Sequence, residues 1–323
     1  MSEIALSIVD IAPFLHGDAT ARRAVGKQFG EAFETSGFAV IVGHGIPEQL
    51  AVDTYDAMKA FFALPEAAKR ACTIPEKTKS SGYLPIGIES VAKTLTGETP
   101  PDLCEALVFR APHREALSPY KNIYPPEPAR LRPLVEAWSA AMLDLTQQLM
   151  RLSAIALDLP ADYLDASYRD PSLALRFVHY PDQPDEPKPG QLRYGAHHDY
   201  GGLTILRQDA APGGLQIRDR DGVWKEVGIV PNSFIINVGD LMARWTNDRW
   251  RSTLHRVSNP PRHLTGSTAR LSMVTFTAPH EATEIVCLPS CESVGNPRRY
   301  APVGSGDYVL GKIAASMELT PAE

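Results

Sequence analysis

Residues 196–204 read AHHDYGGLT, and residues 254–257, far along the chain, read LHRV. The first stretch contains a His-x-Asp pair, His197 and Asp199, and the second contributes His255. Two imidazoles and one carboxylate are the ligand set that holds Fe(II) on one triangular face and leaves the opposite positions open for oxygen and organic ligands. Side chains two apart on an extended segment point to the same side, so His197 and Asp199 are expected to bind one ion together. We call these three residues the metal triad.

His198 stands between the first two members of the triad. The alternation of side chains along an extended segment points it away from the ion, so we interpret it as a neighbour of the site and not as a ligand. Short His-x-Asp pairs also occur by chance, and the assignment therefore depends on the residues that accompany the triad.

The composition excludes several classes of function. The 323 residues are 44% hydrophobic and 22% charged, which is ordinary for a globular protein. A net charge of −6 without a basic stripe argues against nucleic acid as a partner, and no apolar run is long enough to cross a bilayer. The first residues, MSEI, lack the features of a secretory signal. We expect a cytoplasmic protein with no membrane or nucleic-acid partner; the sequence does not indicate its oligomeric state.

The four cysteines, Cys72, Cys104, Cys287 and Cys291, are few for a disulfide-stabilised chain of this length. Cys287 and Cys291 lie close in sequence, but they lack the second close pair of a zinc knuckle. Reduced thiols in the cytoplasm are therefore the expected state.

The front half is predicted to be rich in helices. Apolar residues recur every four positions over 21–36, which predicts a helix that stops at Gly37. The apolar run 38–42 predicts a short buried strand, and a second helix is expected over 47–64, with a proline in its first turn. Residues 73–126 are rich in Pro, Gly and Thr and predict a long irregular connection, of a kind that is often functional.

The rest of the chain divides into a long helix, a β-rich region and a tail. Apolar spacing predicts the long helix over 129–157, packed across a sheet. We expect four regions: a helix-rich N-terminal region with an irregular lid segment (1–125), the supporting helix (126–170), the catalytic core (171–285) and a C-terminal tail or lid (286–323).

Short β-type runs with Gly, Pro, Asn and Asp between them dominate the predicted core. Many short strands at close spacing are typical of a sandwich or a barrel-like β-fold. The runs lie at residues 174–180, 203–207, 215–218, 223–227, 234–238, 254–258 and 271–277.

Three polar residues of this core form a candidate carboxylate clamp. Arg270 and Ser272 are two apart in a β-type run and share one face of the strand. A guanidinium offers a planar two-pronged donor, which suits a carboxylate, and Ser272 adds a hydroxyl. Tyr180, at the end of another run, is a candidate for a further donor.

Two further stretches precede His255. Residues 234–240, FIINVGD, predict a strand and a tight turn, in which Gly239 is expected to supply unusual backbone angles and Asp240 to cap the next segment. Residues 244–250, RWTNDRW, are expected on the rim of the site or along the approach to the metal.

Two ordered sets of motifs carry a resemblance that covers nearly the whole chain. The front half contains GF at 37–38, HGI at 44–46, FFALP at 61–65 and Lys69. The back half contains the His-x-Asp pair, GGLTIL at 201–206, N-x-G-D at 237–240, TN at 246–247, HRV at 255–257 and R-x-S at 270–272. In this order the motifs resemble the isopenicillin N synthase-like family of Fe(II)- and 2-oxoglutarate-dependent dioxygenases.

The resemblance implies a mainly β fold with flanking α-helices: a double-stranded β-helix, or jelly-roll, core with a helical N-terminal region. It implies that the metal triad binds Fe(II), and that 2-oxoglutarate chelates this iron while its far carboxylate meets Arg270 and Ser272, with Tyr180 as a helper. Plant relatives often carry Asn two residues before that Tyr, whereas Val178 stands here. With O2, the implied reaction releases succinate and CO2 and oxidises a substrate. Hydroxylation is the default, and desaturation or ring closure also occurs in the family.

The substrate is expected at the mouth of the barrel. Segment 82–110, the residues after the Arg270 strand and the C-terminal tail are expected to cover this mouth. Arg110 is suited to an acidic substrate group, and the length of the irregular loop suits a small molecule better than a protein. Geometry alone gives as candidate contacts Tyr83, Glu89, Arg110, Tyr194, Phe276 and the pair Asp307 and Tyr308.

Three alternatives remain open from the sequence. An oxidase on the same scaffold that uses Fe(II) and O2 without 2-oxoglutarate would keep the Arg-x-Ser pair, as isopenicillin N synthase and aminocyclopropane carboxylate oxidase do. A non-catalytic binding protein on the same fold would have no physical need for both triad and clamp. A zinc hydrolase would suit an open fourth position, but no companion motif supports it.

Overall fold

The structure, a computed structural model, describes residues 3–73, 82–97, 99–114, 121–183 and 185–318. Two β-sheets face each other, and helices cover the outer side of the larger one. The helices are α1 (Ala12–His16), α2 (Ala19–Thr35), α3 (Glu48–Phe62), α4 (Glu66–Arg70), α5 (Lys93–Thr96), α6 (Leu131–Ala156), α7 (Asp240–Trp245) and α8 (Ser305–Glu318), with 3₁₀ turns at Pro112–Arg114 and Pro289–Cys291.

Fifteen strands occur in the described ranges. They are β1 (Glu3–Ile4), β2 (Ile8–Asp10), β3 (Phe38–Val42), β4 (Gly82–Leu84), β5 (Glu105–Arg110), β6 (Ser172–Tyr180), β7 (Tyr194–His197), β8 (Leu203–Arg207), β9 (Leu215–Arg218), β10 (Trp224–Val227), β11 (Phe234–Val238), β12 (His255–Val257), β13 (Arg270–Ala278), β14 (Glu284–Ile285) and β15 (Val303–Gly304).

The strands form a large and a small sheet. The major sheet has the order β2-β3-β11-β8-β13-β6-β5-β4, and the minor sheet has the order β1-β10-β9-β12-β7. Strands β14 and β15 pair separately. The expected mainly β fold with flanking helices is confirmed, and the jelly-roll core gives the site two walls, one from each sheet.

The major sheet has two faces with different partners. Its outer face, with Phe109, Leu175 and Ile205, packs against α2, α3 and α6 in one large apolar cluster. Its inner face turns toward the minor sheet, and apolar side chains from both sheets meet there, for example Phe38 with Ile217. Because successive side chains of a strand alternate between faces, the pairing register decides which residues reach the space between the sheets.

The predicted helices of the front half are confirmed, with small shifts at their ends. Asp18 caps α2 because its carboxylate accepts hydrogen bonds from the backbone N–H groups of Thr20 and Ala21, both at 2.9 Å. The helix ends before Gly37, whose φ of +75° is the left-handed conformation expected just after a helix. Strand β3 follows at once, as predicted.

The predicted long helix is α6, a 26-residue helix. It buries Trp138, Met142, Leu145 and Leu149 along one side, and these side chains belong to the cluster on the outer face of the major sheet. This helix packs on the outer face of the major sheet, so the inner face of that sheet remains available to the site.

Residues 73–126 are less irregular than predicted. Strand β5 lies in the major sheet between β4 and β6, and it is buried from Glu105 to Phe109. Its apolar run is only four residues long and follows a buried carboxylate, so neither periodicity nor length marked it as a strand. Residues 74–81, 98 and 115–120 of the predicted connection lie outside the described residues.

The division into four regions stays a prediction. Strands β1 to β5, all from the first of these regions, are hydrogen-bonded into the two sheets of the core. The predicted tail over 286–323 includes β15 and α8, and its last residues, 319–323, lie outside the described part of the chain.

Two expectations about composition can be compared with the structure. None of the helices in the described ranges combines the length and the apolarity needed to cross a membrane. All four cysteines lie in the described ranges, and none of them is joined in a disulfide.

Candidate active site

The structure brings the metal triad together between the sheets. His197 ends β7 and His255 begins β12, and the two residues are direct partners in the minor sheet. Asp199 lies in the turn just after β7. This turn brings its carboxylate to the two histidines, whereas the sequence analysis expected strand alternation to do so. One donor atom from each residue lies within 4.8 Å of the other two, and all three side chains are buried.

Both imidazoles are oriented by backbone carbonyls. Nδ1 of His197 lies 2.9 Å from the carbonyl oxygen of Gly195, and Nδ1 of His255 lies 3.0 Å from that of Thr253. A carbonyl oxygen only accepts, so each Nδ1 carries the proton and each Nε2 presents a lone pair. This is the tautomer that a metal-binding histidine requires.

The carboxylate of Asp199 is divided between two tasks. Its Oδ1 lies 3.5 Å from Nε2 of His197 and 3.8 Å from Nε2 of His255. Its Oδ2 accepts hydrogen bonds of 2.6 Å from the hydroxyl of Thr204 and the side-chain amide of Asn237. Two donors hold one oxygen, and the other oxygen completes the triangle with the two Nε2 atoms.

The protonation states suit a cation. Burial lowers the pKa of His255 to about 4, with a contribution from His197, so this imidazole is neutral near pH 7. Burial alone would raise the pKa of Asp199, but the two histidines and the Thr204 hydroxyl hold it well below its usual range. A neutral imidazole and an ionised carboxylate are the forms in which these side-chain types bind a metal.

The turn that carries Asp199 is fixed to the start of α7. The backbone N–H of Asp240 donates to the carbonyl of Asp199 at 2.7 Å, and the N–H of Gly239 donates to the carbonyl of Gly202 at 2.7 Å. The first N–H groups of a helix have no partner within it, so α7 is stabilised by the same contacts that place Asp199.

The predicted roles of Gly239 and Asp240 were wrong. Gly239 has an ordinary extended conformation, and a glycine is needed because a Cβ would lie only 2.4 Å from the carbonyl oxygen of Gly201. The carboxylate of Asp240 does not cap α7; it accepts hydrogen bonds from Ser252 at 2.7 Å and Lys312 at 2.8 Å.

His198 is turned away from the triad, as predicted. Its Nδ1 lies 3.2 Å from the hydroxyl of Ser252, outside the group of potential metal ligands. Further along, Trp245 and Trp250 of the predicted rim segment are buried in the core, whereas Arg244 lines a surface cavity of about 410 Å³ together with His198.

The predicted clamp lies on the inner face of the major sheet. Arg270 pairs with Tyr180 across β13 and β6, and Ser272 pairs with Val178. All three clamp residues are buried. Burial raises the pKa of the Tyr180 hydroxyl, and Arg270 and Ser272 lie close enough to Tyr180 to lower that pKa against the larger effect of burial. The structure therefore brings Arg270, Ser272 and Tyr180 together.

The guanidinium of Arg270 has only neutral partners. It donates to the carbonyls of Ala211 at 2.9 Å and Gly213 at 3.1 Å and to the side chain of Gln208 at 3.1 Å, while its Nε has no hydrogen-bond partner. Among the described residues, no carboxylate forms an ion pair with Arg270. A buried cation without a counter-ion is unfavourable, so this pocket suits an anionic ligand.

A second buried guanidinium lies close by and was missed by the sequence analysis. Arg193 donates to the carbonyls of Pro212 at 2.6 Å and Thr268 at 2.5 Å, and its Nε also lacks a partner. Burial, with a contribution from Arg270, lowers its pKa to about 10. Two adjacent buried cations strengthen the preference of this pocket for an anion.

Tyr194 lies beside the triad because of a β-bulge. The pairing of β12 with β7 shifts register between His255–His197 and Val257–Tyr194, so β7 has one extra residue there. The ring of Tyr194 meets the imidazole of His197 edge-on, with centroids 4.9 Å apart. The structure therefore brings this candidate to the triad.

Phe276 and Arg110 share one row on the inner face. Phe276 is paired with Thr204 on one side and with Ala174 on the other, and Ala174 is paired with Arg110. The same row continues from Thr204 to Asn237, so it contains both donors to the triad carboxylate. Both candidates therefore lie on the inner face of the major sheet, Phe276 next to Thr204 and Arg110 two strands beyond Phe276.

Tyr83 is not brought to the site. It lies on the outer face of the major sheet, where its ring packs on Phe61 with centroids 6.0 Å apart. Its hydroxyl donates to the buried carboxylate of Glu105 at 2.5 Å, which also accepts from Lys69. Successive side chains of a strand alternate between its two faces, and Tyr83 falls on the outer one.

The remaining candidates have local partners. Glu89 forms an ion pair with Arg176, and Tyr308, in α8, lies near Arg244 and Lys312 with cation-to-centroid distances of 5.8 and 5.6 Å. Arg176 was missed, although it stands four residues before Tyr180 and must share its face. The signal was present as one charged residue in an otherwise apolar run.

Asp102 links the segment that carries Glu89 to the metal-bearing strand. Its carboxylate accepts from the N–H of Gly195 at 2.9 Å and from the N–H of Val91 at 3.0 Å. Gly195 in turn holds the imidazole of His197 through its carbonyl. No sequence motif marks this buried aspartate.

Comparisons with known proteins agree with this geometry. Residues 170–279 match the family model of the 2OG-Fe(II) oxygenase superfamily, and residues 6–129 match that of the non-haem dioxygenase N-terminal region named for morphine synthesis. The 2-oxoglutarate-Fe(II) type oxidoreductase hxnY of Emericella nidulans is 32% identical over 96% of this chain and 90% of its own length. Homoarginine-6-hydroxylase 2-ODD-233 of Oryza sativa is 28% identical over 96% of both chains.

Solved structures show the same architecture. A full-length Neurospora crassa protein, in complex with alpha-KG and thymine, superimposes with a TM-score of 0.85 at 29% identity, covering 96% of this chain and 97% of that one. The motifs, the paired walls of the site and these relatives agree along nearly the full length. The chain belongs to the isopenicillin N synthase-like family of Fe(II)- and 2-oxoglutarate-dependent dioxygenases, and it is an oxidoreductase.

Proposed function

We propose that the metal triad binds the Fe(II) of this dioxygenase and that Arg270, Ser272 and Tyr180 bind the far carboxylate of 2-oxoglutarate. The metal assignment is supported by the different partners of the two Asp199 carboxylate oxygens. Thr204 and Asn237 donate hydrogen bonds to one oxygen, and the other oxygen faces the two Nε2 atoms.

The cosubstrate assignment is supported by the charge of the second pocket. Arg270 is a buried cation whose Nε has no partner, and Arg193 repeats that pattern next to it. A dicarboxylate that bridges the two sheets would give Arg270 a counter-ion at one end and reach the triad at the other. The hydroxyls of Ser272 and Tyr180 are placed to add hydrogen bonds.

The chemistry follows from these positions. When bound, Fe(II) and 2-oxoglutarate supply the oxidant, because oxidative decarboxylation of 2-oxoglutarate by O2 yields succinate and CO2 and leaves one oxygen atom for the substrate. The residues of the chain hold the ligands, keep the imidazole of His255 neutral by burial, and enclose the site between two sheets. Hydroxylation of a C–H bond is the outcome we propose.

The substrate is proposed to be a small molecule that lies against Tyr194, Phe276 and Arg110. Tyr194 contacts a triad imidazole, and Phe276 is the cross-strand partner of Thr204. Two aromatic rings beside the triad favour a substrate with an apolar or planar body. The four free thiols favour a reducing compartment, for which we propose the cytoplasm.

Anaerobic titration tests this proposal. Fe(II)-loaded protein is titrated with 2-oxoglutarate and monitored by visible absorption, since a keto acid chelated to Fe(II) gives a weak charge-transfer band. We expect a saturable band that is much weaker at equal 2-oxoglutarate in Arg270→Gln. Bound iron without a band would contradict the proposal and favour an oxidase that does not use 2-oxoglutarate.

A further inference from the structure

A buried arginine that the clamp does not use lies on the inner face of the major sheet. Arg176 pairs with Val274 across β6 and β13 and with Val108 across β6 and β5. Its row therefore lies between the row of Ser272 and the row of Phe276. The side chain is only 10% exposed. A guanidinium thus stands between the proposed cosubstrate anchor and the proposed substrate contacts.

Arg176 is connected to the metal triad by one aromatic ring. Its Cζ lies 5.4 Å from the centroid of Tyr194, and this ring meets the imidazole of His197 at 4.9 Å. A ligand group on Arg176 would therefore place the rest of a small molecule beside the triad.

The present partner of Arg176 is the carboxylate of Glu89. Nη1 of Arg176 donates to one oxygen of Glu89 at 2.9 Å, and Nη2 donates to the other. Glu89 comes from the loop between β4 and α5, and its side chain is more exposed, at 25%. A carboxylate from a surface loop thus fills a two-pronged site in the interior.

The backbone of this loop is fixed independently of that ion pair. The N–H of Asp102 donates to the carbonyl of Glu89 at 2.8 Å, and the N–H of Val91 donates to the carboxylate of Asp102. The Glu89 side chain can therefore turn toward solvent by rotation about its own bonds, while the loop stays in place.

We propose that Arg176 is the specificity-determining residue of this enzyme, that it binds a carboxylate of the substrate, and that Glu89 occupies this position until the substrate displaces it. The inference rests on the proposed function of the triad and clamp. An anionic partner offsets the cost of burying the Arg176 guanidinium, and two carboxylates can exchange on it with the same two-pronged geometry. An uncharged analogue should be a poor ligand, because an analogue that displaced Glu89 would leave Arg176 buried without a counter-ion.

Matched probes test the exchange. Phenylacetate and phenylacetamide share a flat apolar body and differ in charge; each is titrated by calorimetry into anaerobic holoenzyme saturated with Fe(II) and 2-oxoglutarate. In Glu89→Gln, which removes the competing charge, we expect phenylacetate to bind about tenfold more tightly than in the wild type, with little change for the amide. Arg176→Gln should remove the preference for the acid, whereas Arg218→Gln, at an exposed site, should keep it.

A rescue measurement covers the case in which Arg176→Gln does not fold. Glu89→Ala deletes a fragment that acetate can replace, so acetate should raise the thermal unfolding temperature of Glu89→Ala well above the effect of acetamide. The wild type should show no such difference. Equal effects of acetate and acetamide, or phenylacetate binding that is no tighter in Glu89→Gln, would overturn the inference. The charge-transfer band recorded on the same samples distinguishes this failure from a failure of the proposed function.

Discussion

The side-chain amide of Asn237 donates a 2.6 Å hydrogen bond to Oδ2 of Asp199, the carboxylate oxygen that is not directed at the two imidazoles. Asn237 belongs to β11 of the major sheet, whereas His197 and His255 belong to the minor sheet. The geometry of the triad therefore depends on a residue that would not itself touch the metal.

Asn237→Ala should weaken metal binding while leaving all three ligands present. Loss of an outer hydrogen bond to a ligand typically costs tenfold to a hundredfold in metal affinity. Titration with Fe(II), or with Co(II) as an oxygen-stable probe, measures the change. Gln49→Ala, which removes an exposed amide on α3, serves as the control. An unchanged affinity in Asn237→Ala would show that Thr204 alone is sufficient.

His197→Ala and His255→Ala should lose both bound iron and turnover, because each removes one of three ligands. His198→Ala is the matched control, since this neighbour is turned toward Ser252. We expect it to retain stoichiometric iron, measured with a colorimetric chelator after gel filtration. Full activity in either ligand variant, or iron loss in His198→Ala equal to theirs, would contradict the assignment of the triad.

Arg270→Gln should raise the 2-oxoglutarate concentration required for half-maximal turnover. A hydrogen bond to a charged group contributes about 1.5–3 kcal/mol, which corresponds to roughly a tenfold to hundredfold loss of affinity. Iron content should stay unchanged, and Arg218→Gln, at an exposed position of β9, should behave as the wild type. Unaltered 2-oxoglutarate dependence would mean that the cosubstrate is anchored elsewhere.

The buried carboxyl of Asp102 predicts a pH dependence of stability. Burial raises its pKa from 3.8 to about 6, so between these values the folded protein keeps a proton that the unfolded chain releases. The contribution of Asp102 to the free energy of unfolding is therefore largest below about pH 4, and it falls by at most about 3 kcal/mol as the pH rises to about 6.

Asp102→Asn removes this titration, so the difference in unfolding free energy between the two proteins should change between pH 4 and pH 6 and stay constant above that range. Urea unfolding at several pH values measures it. Asn offers only one side-chain acceptor for the N–H groups of Val91 and Gly195, so a constant loss at all pH values is also expected. A difference independent of pH across the whole range would refute the titration.

Gly239→Ala should destabilise the protein and lower its iron affinity together. The new Cβ would lie 2.4 Å from the carbonyl oxygen of Gly201, in the turn that carries Asp199. In Gly311→Ala, on α8, no atom lies within 4 Å of the added Cβ, and a helical position should gain roughly 0.5–1 kcal/mol. Thermal unfolding and iron content of the two variants provide the comparison. Equal behaviour would show that the turn relaxes without moving Asp199.

The sequence was most informative where chemistry and local geometry coincide. The His-x-Asp pair and the Arg-x-Ser pair are short motifs, and the predicted strands 203–207, 215–218 and 234–238 agree with β8, β9 and β11 in full. The candidate Phe276 stands four residues after Ser272, so alternation puts both side chains on one face, and the pairing of β13 agrees. These features depend on neighbours in the chain, which the sequence contains.

Features that depend on contacts between distant segments were not predictable. Tyr83 was assigned to the mouth but faces the helices, because its face depends on the register of β4 against β5. Arg176 was visible as a charged residue in an apolar run, but only the pairing of β6 with β13 shows what surrounds it. The bulge that turns Tyr194 toward His197 likewise exists only in the paired strands.

The two walls of the site belong to different sheets, and apolar side chains such as Phe38 and Ile217 fill the gap between them. Phe38 also meets the imidazole of His255 edge-on at 5.5 Å. This apolar layer lies between the sheet that carries the two histidines and the sheet that carries Asn237, Arg270 and Ser272. Ordinary core substitutions in this layer can therefore tune the reaction over evolutionary time while every ligand stays the same, and a designer who wishes to alter reactivity can work on positions that do not themselves bind the iron.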